Sequence, residues 1–499
     1  MIKQFIKDTG VYGIAGLISK GVSFFLLPLY TRVLTPADYG IIDILAVFYS
    51  IVAVTLPLEI TQAVARFLAD RKSTDLDKDS NTILVSTVGL FITLFSFGLF
   101  LILGLLFNKP LAQLILEDSS ESNIFTIATI YMFSTGLFYF FQNQLRWTLK
   151  SKIYAFLSVV YTILSISGTI LFVLILKSGV IGVFYAYLVA GIISAGMGWY
   201  FTRENYGFYF SFAKMREMLK FSLPLVPSSV GVILINVAQR VMIRGTMSLA
   251  DLGLFGVGSR ISSIITIGFQ SVQGAITPLI YQNSNNKNTP ENLSYIFRFL
   301  TFILIITFTG ISLFSHEIIL ILTAPAFHAS YILVPFLVLA ECFTGIQNAF
   351  TPGMAIAKRT DIIAYINISG AVFALVLSYF LIRNFGILGA AIAMLIQRFS
   401  MFIVQMYYSQ KFYFVYYPFK KVIQSLVIAI VIIFTGWQIS LLFDSMIFSI
   451  ALKSGMIVFL FVIMILFIKL IEVRELKEIR IKLLQMRDRL KSIRINNGM

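Results

Sequence analysis

Residues Thr9–Gly40 read TGVYGIAGLISKGVSFFLLPLYTRVLTPADYG. An apolar run long enough to span a bilayer ends at Arg32, a short polar turn follows, and the motif ADYG at 37–40 opens the next apolar run. The segment Phe221–Gly253 repeats this pattern and ends in the motif ADLG at 250–253, 213 positions after the first. Two copies at this distance indicate two similar halves. Parallel repeats of this kind are typical of membrane transporters, with the substrate site expected between the halves.

The composition places the chain in a membrane. Of its 499 residues, 58% are hydrophobic and 12% are charged, and the mean hydropathy is +0.89. Soluble domains carry about 25% charged residues, so this chain could not cover itself with a polar surface. The net charge of +16 does not indicate nucleic-acid binding, because the basic residues lie at helix ends rather than on one soluble face.

Few residues are available for metal or redox chemistry. The single cysteine, Cys342, excludes an internal disulfide, and the two histidines lie far from any acidic pair, so no Cys/His metal set is present. No P-loop motif is present, so the chain is not expected to hydrolyse ATP. No cofactor is expected apart from a possible coupling ion.

Fourteen apolar segments have the length of a transmembrane helix, and the first is expected to be retained because the N-terminus lacks a signal-peptide cleavage site. They lie at about 9–34, 40–66, 82–107, 123–146, 153–176, 180–202, 220–243, 251–281, 293–315, 330–356, 361–382, 386–410, 420–442 and 446–470. Lysines and arginines in one set of connections and the C-terminal tail outnumber those in the opposite set by about four to one. By the positive-inside rule, both termini are predicted to be cytoplasmic.

A second repeat supports the division into halves. The pattern G-x-x-G-x-x-x-A at 179–186 recurs at 386–393, and small residues at this spacing let helices pack closely. The predicted domains are an N-terminal six-helix lobe at 1–212, a C-terminal six-helix lobe at 213–415, two additional transmembrane helices at 416–471 and a basic amphipathic tail at 472–499. The tail is expected to lie on the anionic cytoplasmic membrane surface, with a coiled coil as the alternative. The predicted fold class is an all-α polytopic membrane protein.

The motif TRVLTPADYG at 31–40, the G-x-x-G-x-x-x-A repeat, the span count and the basic loops together resemble a known family. The chain is similar to the polysaccharide exporter branch of the MATE-like MOP superfamily, and within it to Wzx-type O-antigen and capsule repeat-unit flippases. The resemblance implies two six-helix bundles with two extra helices, alternating access and a cationic central cavity. It also implies transport of an undecaprenyl-diphosphate-linked oligosaccharide from the inner to the outer leaflet of the bacterial cytoplasmic membrane. Implied partners are membrane lipids and, in lipopolysaccharide or capsule assembly, a polysaccharide polymerase and a chain-length regulator.

Basic residues inside the spans are candidates for substrate binding, because charges at bilayer depth are costly. Lys20 and Arg398 lie near the middle of their spans, and Arg240 and Arg260 lie nearer the outer ends. The repeat does not explain the central pair, since Lys20 aligns with an isoleucine and Arg398 with a glycine. We therefore expect these residues to bind the diphosphate. The alternative is internal pairing of Lys20 with an acidic residue on the next helix, and extension of Arg240 to the outer interface.

Two further groups of polar residues are candidates. The amides Asn236, Gln239, Gln270 and Gln273 are expected to hydrogen-bond sugar hydroxyls, with hydrogen bonds between helices as the alternative. The carboxylates Glu341, Glu59 and Asp43 are candidates for coupling transport to a gradient of H⁺ or Na⁺. Glu59 follows Pro57, where a kink would free backbone carbonyls.

The residues alone are also compatible with other functions of a polytopic membrane protein. A lipid II flippase would share the diphosphate-linked substrate. A cation-coupled drug exporter would favour an acidic and aromatic cavity, whereas the central charges here are mainly basic. A membrane polysaccharide polymerase or ligase would carry a large outer loop, but the longest outer connection runs only from about 108 to 123. The chain is therefore predicted to be a transporter and not an enzyme.

Overall fold

The structure, a computed structural model, describes residues 26–69, 78–208, 210–282, 289–347, 350–351, 354, 359–442 and 446–471. These residues form helices, as the sequence predicts. In chain order the helices are α1 Leu27–Val33, α2 Pro36–Thr55, α3 Ile60–Ala69, α4 Lys78–Leu106, α5 Asn108–Leu116, α6 Ser122–Trp147, α7 Ser151–Thr169, α8 Gly179–Thr202, α9 Phe212–Ser222, α10 Val226–Thr246, α11 Leu249–Gln282, α12 Thr289–Leu313, α13 Ser315–Leu322, α14 Val334–Gln347, α15 Thr360–Phe412, α16 Phe419–Leu442 and α17 Met446–Leu466. We call α1–α8 the N-terminal lobe and α10–α15 the C-terminal lobe, joined by α9.

Both copies of the repeated motif, ADYG at 37–40 and ADLG at 250–253, lie at the start of a helix that is capped in the same way. We call the motif together with the turn before it the hairpin motif. The Asp38 backbone N–H donates to the Thr35 hydroxyl at 3.2 Å, and the Thr35 N–H donates to the Asp38 carboxylate at 2.9 Å. In the second copy the Asp251 N–H donates to the Ser248 hydroxyl at 3.1 Å, and the Ser248 N–H donates to the Asp251 carboxylate at 3.2 Å. Each copy is a capping box, which satisfies two backbone donors at the start of α2 and of α11. The aspartate of the motif is therefore explained by helix capping.

The glycine of the motif is explained by a crossing of α2 with α11. A Cβ on Gly40 would lie 2.0 Å from the Leu249 carbonyl oxygen, and a Cβ on Gly253 would lie 2.0 Å from the Pro36 carbonyl oxygen. Only glycine allows the two backbones to approach this closely. Because both pairs are related by the same shift of 213 positions, the crossing has an approximate two-fold axis. We call this side of the molecule the hairpin side and the opposite side, with the basic connections, the basic side.

Contacts beyond the crossing join the lobes with the same symmetry. The Thr31 hydroxyl donates to the Leu322 carbonyl oxygen at 3.3 Å, and Arg244 Nε donates to the Ile115 carbonyl oxygen at 3.0 Å. Thr31 and Arg244 are equivalent in the repeat, and α5 and α13, which carry the two carbonyls, are equivalent as well. Arg244 also forms an ion pair of 2.8 Å with Glu117. The lobes are thus held together on the hairpin side.

Ten helical segments of the described chain are long and apolar enough to cross a membrane, or eleven with the bent pair Pro325–Ile332 and Val334–Gln347. One segment, Ile362–Phe412, contains the predicted boundary between two spans at Gly386, where φ is 58° and the helix breaks. The predicted first span at 9–34 lies mostly outside the described residues, so the total of fourteen stays a prediction. The domain boundaries also stay predictions, and the tail at 472–499 lies outside the described part.

The second span is broken at the predicted proline. α2 ends at Thr55, α3 begins at Ile60, and the intervening Leu58 and Glu59 both have positive φ, at 51° and 55°. Non-glycine residues in this region are strained, so packing around the break must hold it in place. The lobe-joining helix α9 packs beside α3 on the basic side, where Arg66 stacks 4.3 Å over the Phe221 ring.

The last two helices pack against α12 and α13 of the C-terminal lobe. Lys453 of α17 and Glu317 of α13 form an ion pair whose side chains are almost fully buried. Trp437 Nε1 of α16 donates to the Ser312 carbonyl oxygen at 3.1 Å. Lys453 lies inside α17, about two turns from its start and within the predicted span at 446–470.

Candidate substrate site

A cavity of about 520 Å³ lies within the C-terminal lobe. Four helices line it: α10 with Val232, Ile235, Asn236 and Arg240, α11 with Ser259, Ser263, Thr266 and Phe269, α14 with Glu341, Thr344, Gly345 and Gln347, and α15 with Asn367, Met394, Arg398 and Met401. The sequence predicts a site between the halves, whereas the described residues that line the cavity come from the second half. One of them, Arg240, reaches the lobe interface, where it pairs with Asp43.

Asn236 connects the two arginines of the cavity. Arg398 Nη2 donates to the Asn236 side-chain oxygen at 2.6 Å, and Arg240 Nη1 donates to the Asn236 backbone oxygen at 3.1 Å. Asn236 and Arg240 share a face of α10 because they are four residues apart. Asn236 thus holds two guanidinium groups from different helices against one wall of the cavity, one through its side-chain oxygen and one through its backbone oxygen. The expected contact of Asn236 with sugar is untested.

Arg398 is buried but retains an unused donor. Its exposed fraction is 6%, and its Nε has no hydrogen-bond partner among the described residues. Glu341, on the facing helix α14, is near enough to interact electrostatically with Arg398, and its carboxylate accepts a hydrogen bond from the Thr266 hydroxyl. A buried guanidinium in the wall of a polar cavity is suited to bind a phosphate or carboxylate.

Arg240 forms the ion pair that crosses the lobe interface. Its Nε lies 2.7 Å from Asp43 Oδ2 of α2, and about a fifth of the arginine side chain and a seventh of the aspartate side chain are exposed. Arg240 is therefore paired within the protein, and its extension to the outer interface, the sequence-based alternative, stays a prediction. Asp43, a candidate for ion coupling, is paired with this arginine. The sequence-based alternative paired Lys20 with an acidic residue of this helix, but Lys20 lies outside the described residues.

Arg260 lies beside the cavity rather than in its wall. It is on α11, close enough to Tyr39, Asp43 and Tyr187 for electrostatic interaction, and these three residues all belong to the N-terminal lobe. Together the three arginines at 240, 260 and 398 and the two carboxylates at 43 and 341 leave this cluster with one net positive charge.

The remaining candidates lie elsewhere. Gln239 is buried and does not line the cavity. Glu59 lies at the break between α2 and α3 and does not line it either. Gln270 and Gln273 are on α11, but their side chains lie outside the described part of the structure. No group of histidine, cysteine, aspartate and glutamate side chains that could hold a metal ion occurs among the described residues.

Several polar residues of the site were missed by the sequence analysis. Ser259, Ser263 and Thr266 form a stripe on α11 at spacings of four and three, which is a helical face that a search for small polar residues could have found. Gln347 Nε2 donates to Gln405 Oε1 at 2.6 Å beneath the cavity, and Gln405 is two turns after Arg398 on the same face of α15.

The described interior of the N-terminal lobe is rich in tyrosine and phenylalanine. The Tyr30 and Tyr187 hydroxyls lie 3.1 Å apart, and the Tyr131 ring lies 5.5 Å from the rings of both Tyr49 and Tyr187. Tyr161 stacks on Phe138 at 4.9 Å.

Two family models match the chain. The model described as polysaccharide biosynthesis protein matches residues 5–284, which is more than half of the chain, and the model described as MatE matches residues 224–380. Among curated proteins, Lsg locus putative protein 1 of Haemophilus influenzae is 23% identical over 320 residues, which cover 60% of this chain and 72% of that protein.

Solved structures of transporters share the fold. A structure of the lipid II flippase MurJ in an inward closed conformation matches with a TM-score of 0.69 and 16% identity, over 90% of this chain and 97% of that one. An inward-facing multidrug resistance MATE family transporter of the MOP superfamily matches with a TM-score of 0.65 and 16% identity, over 80% of this chain and 97% of that one. Since the first family model covers more than half of the sequence, the chain belongs to the polysaccharide biosynthesis protein family, and it shares the fold of these transporters.

Proposed function

We propose that the chain is a flippase that moves an undecaprenyl-diphosphate-linked oligosaccharide, such as an O-antigen or capsule repeat unit, from the inner to the outer leaflet of the bacterial cytoplasmic membrane. The observation that carries this proposal is Arg398, a buried guanidinium whose Nε has no partner among the described residues and which lines a polar cavity. A buried guanidinium that shares its cavity with one carboxylate and still has an unpartnered N–H is suited to an anion that arrives and leaves.

The charges of the site match a diphosphate. The diphosphate carries about two negative charges and must pass the low-dielectric middle of the bilayer, where an unpaired charge is strongly disfavoured. One guanidinium at about 4 Å contributes roughly 4 kcal/mol at an effective dielectric near 20, so two or three contacts are needed to replace the lost hydration. Arg398 and Arg240 line the cavity and Arg260 lies beside it.

The size of the cavity and its neutral polar groups fit the sugar next to the diphosphate. A volume of about 520 Å³ is within the range of small-molecule sites, so it accommodates the head group rather than the lipid tail. Asn236, Asn367 and Thr344 line the same cavity and are suited to hydrogen-bond sugar hydroxyls.

Alternating access is supported by the contacts between the lobes. The glycine crossing and the bonds of Thr31 and Arg244 lie on the hairpin side, which the positive-inside rule assigns to the outer face. A protein closed there would admit substrate from the cytoplasmic leaflet. Glu341 is the coupling carboxylate of this proposal, because it lines the cavity with Arg398 and a change in its protonation or Na⁺ occupancy would change the charge of the site.

A lipid II flippase is the second candidate, favoured by the shared fold with the MurJ structure. Its substrate would bring the same diphosphate to the same arginines. A drug exporter for organic cations fits less well, because the charged cluster has a net positive charge.

Complementation tests the proposal. The wild-type chain is expected to restore surface polysaccharide in a strain that lacks its polysaccharide flippase, and to leave a strain depleted of lipid II flippase without rescue. The purified chain in proteoliposomes should flip a fluorescent polyprenyl-diphosphate oligosaccharide. Rescue of the lipid II strain alone would assign the second candidate, and export of organic cations without flipping would contradict both. Co-purification with the polymerase and chain-length regulator of the same strain tests those partners.

A further inference from the structure

The ion pair between Arg240 and Asp43 differs from the other contacts between the lobes, because it ties a cavity-lining residue to the opposite lobe. The second ion pair across the interface, Arg244 with Glu117, involves a glutamate that is 60% exposed, and neither residue lines the cavity. We propose that Asp43 stands in for the anionic group of the substrate: it holds Arg240 until a polyprenyl diphosphate arrives, and the exchange releases the contact between the lobes. This inference rests on the proposed function.

Arg240 is placed so that it can change partners without leaving the cavity. Its Nη1 is held by the Asn236 backbone oxygen of the same helix, and its guanidinium lies 5.6 Å from the centre of the Phe255 ring. Only Nε is engaged with Asp43. The guanidinium therefore stays in the cavity wall when the aspartate departs, and a phosphate can take the same donor.

Asp43 faces the charges of the opposite lobe. It pairs with Arg240, lies within electrostatic range of Arg260, and its carboxylate oxygen would be 3.3 Å from a Cβ on Gly256 of α11. An incoming diphosphate would compete with the carboxylate for both arginines and would repel it. Without Asp43 the cluster gains one positive charge and has two, which matches the charge of the diphosphate.

The exchange has a direct route to the hairpin side. Asp43 is three residues after Gly40 on α2, so about 4.5 Å of helix separates the ion pair from the glycine crossing. When the carboxylate loses its partners, α2 loses its only described ion pair to the C-terminal lobe. Binding of the anion thus weakens the contact between α2 and the C-terminal lobe that closes the hairpin side. Substrate binding is in this way linked to opening of the protein on that side.

Binding of farnesyl diphosphate to the purified full-length protein tests the exchange. Asp43→Asn keeps the shape of the side chain and removes the competing charge, so the affinity is expected to rise about tenfold, or roughly 1.4 kcal/mol. Glu117→Gln is the matched control, because it removes the other ion pair between the lobes and should leave the affinity within twofold of wild type. Equal or weaker binding by Asp43→Asn would refute the exchange alone. If the wild-type protein binds no farnesyl diphosphate, the anion site of the proposed function fails as well.

A labelling experiment covers the case in which Asp43→Asn does not fold. Thr31 is 2% exposed in the lobe interface, so Thr31→Cys in a Cys342→Ser background reports separation of the lobes. Farnesyl diphosphate, but not farnesol, should raise its rate of reaction with an impermeant thiol reagent several-fold. Ser119→Cys, at an exposed 3₁₀ turn, should react at a constant rate. A Thr31→Cys rate that farnesyl diphosphate does not change would contradict the proposal.

Discussion

In the N-terminal lobe, Gly191 packs against Ser134, and a Cβ on Gly191 would lie 2.5 Å from the Ser134 hydroxyl oxygen. At the equivalent positions of the C-terminal lobe, 207 residues later, stand Arg398 and Glu341, whose side chains line the cavity with opposite charges. The same two helices thus meet through the smallest side chains in one lobe and through a guanidinium and a carboxylate in the other.

The other charges follow the same division. Arg240 and Arg260 are equivalent to Leu27 and Val47, which are both buried apolar residues. By contrast, the capping boxes and the crossing glycines are present in both copies. The duplicated features build the scaffold, and the charges that line the cavity or lie beside it are found in one copy only. Four experiments test this division, from the largest expected effect to the smallest.

The ion pair of Lys453 with Glu317 joins α17 to the C-terminal lobe and has no counterpart in the N-terminal lobe, since the equivalent of Glu317 is Pro110. Lys453→Met leaves a buried carboxylate without its partner and should lower the free energy of unfolding by about 3–5 kcal/mol. Thermal unfolding in detergent and abundance in membranes measure the effect. Lys453→Met with Glu317→Gln should recover much of the stability, and Lys109→Met, at an exposed lysine, should match wild type. Equal stability of Lys453→Met and wild type would show that the pair contributes nothing.

Arg398→Ala tests whether the charge in the C-terminal lobe serves transport. The initial rate of flipping should fall by roughly a hundredfold, or about 2.7 kcal/mol, because charge-assisted hydrogen bonds to the substrate are lost. Arg398→Lys should keep part of the activity. The control is Arg383→Ala, an exposed arginine on the same helix, which should flip normally at equal membrane abundance. Flipping by Arg398→Ala at the wild-type rate would remove this residue from the substrate site.

Gly40→Ala and Gly253→Ala test whether the scaffold is symmetric. Each added Cβ would meet a backbone carbonyl at 2.0 Å, so each variant should lose about 2 kcal/mol of stability. Gly98→Ala, which has open space around it, should be unchanged or slightly more stable. Thermal unfolding compares the three proteins. A large loss from one of the crossing glycines and none from the other would break the equivalence of the two copies.

Tyr30→Phe tests whether the tyrosine cluster of the N-terminal lobe is structural. It removes the hydroxyl that lies 3.1 Å from the Tyr187 hydroxyl, and the expected loss of stability is about 1 kcal/mol, with flipping unchanged. Tyr365→Phe, at a side chain that is 71% exposed, is the control. A loss of flipping in Tyr30→Phe without a loss of stability would assign part of the site to the N-terminal lobe.

Features that depend on local pattern could be predicted from the sequence. The repeated hairpins, the break at Pro57 and the boundary at Gly386 follow from apolar run length, proline and glycine, and the structure contains them. Burial of Arg398 follows from its position in a long span, although its role in substrate binding stays a prediction.

Features that depend on how distant helices meet could not be predicted in this way. The pairing of Asp43 with Arg240 joins residues 197 positions apart on different lobes, and nearness in the chain favoured Lys20 instead. The partner of Lys453 could not be found either, because charge alone does not reveal a buried carboxylate 136 positions earlier.

The buried pair of Lys453 with Glu317 bears on how the chain enters the membrane during synthesis. A lysine inside a helix opposes its own insertion by roughly 2.5–3.5 kcal/mol, and α17 must bring this one into the bilayer. Its carboxylate lies 136 residues earlier and is therefore made first. Glu317 is thus synthesised before Lys453. When α16 and α17 insert, the carboxylate that neutralises Lys453 is already present on α13.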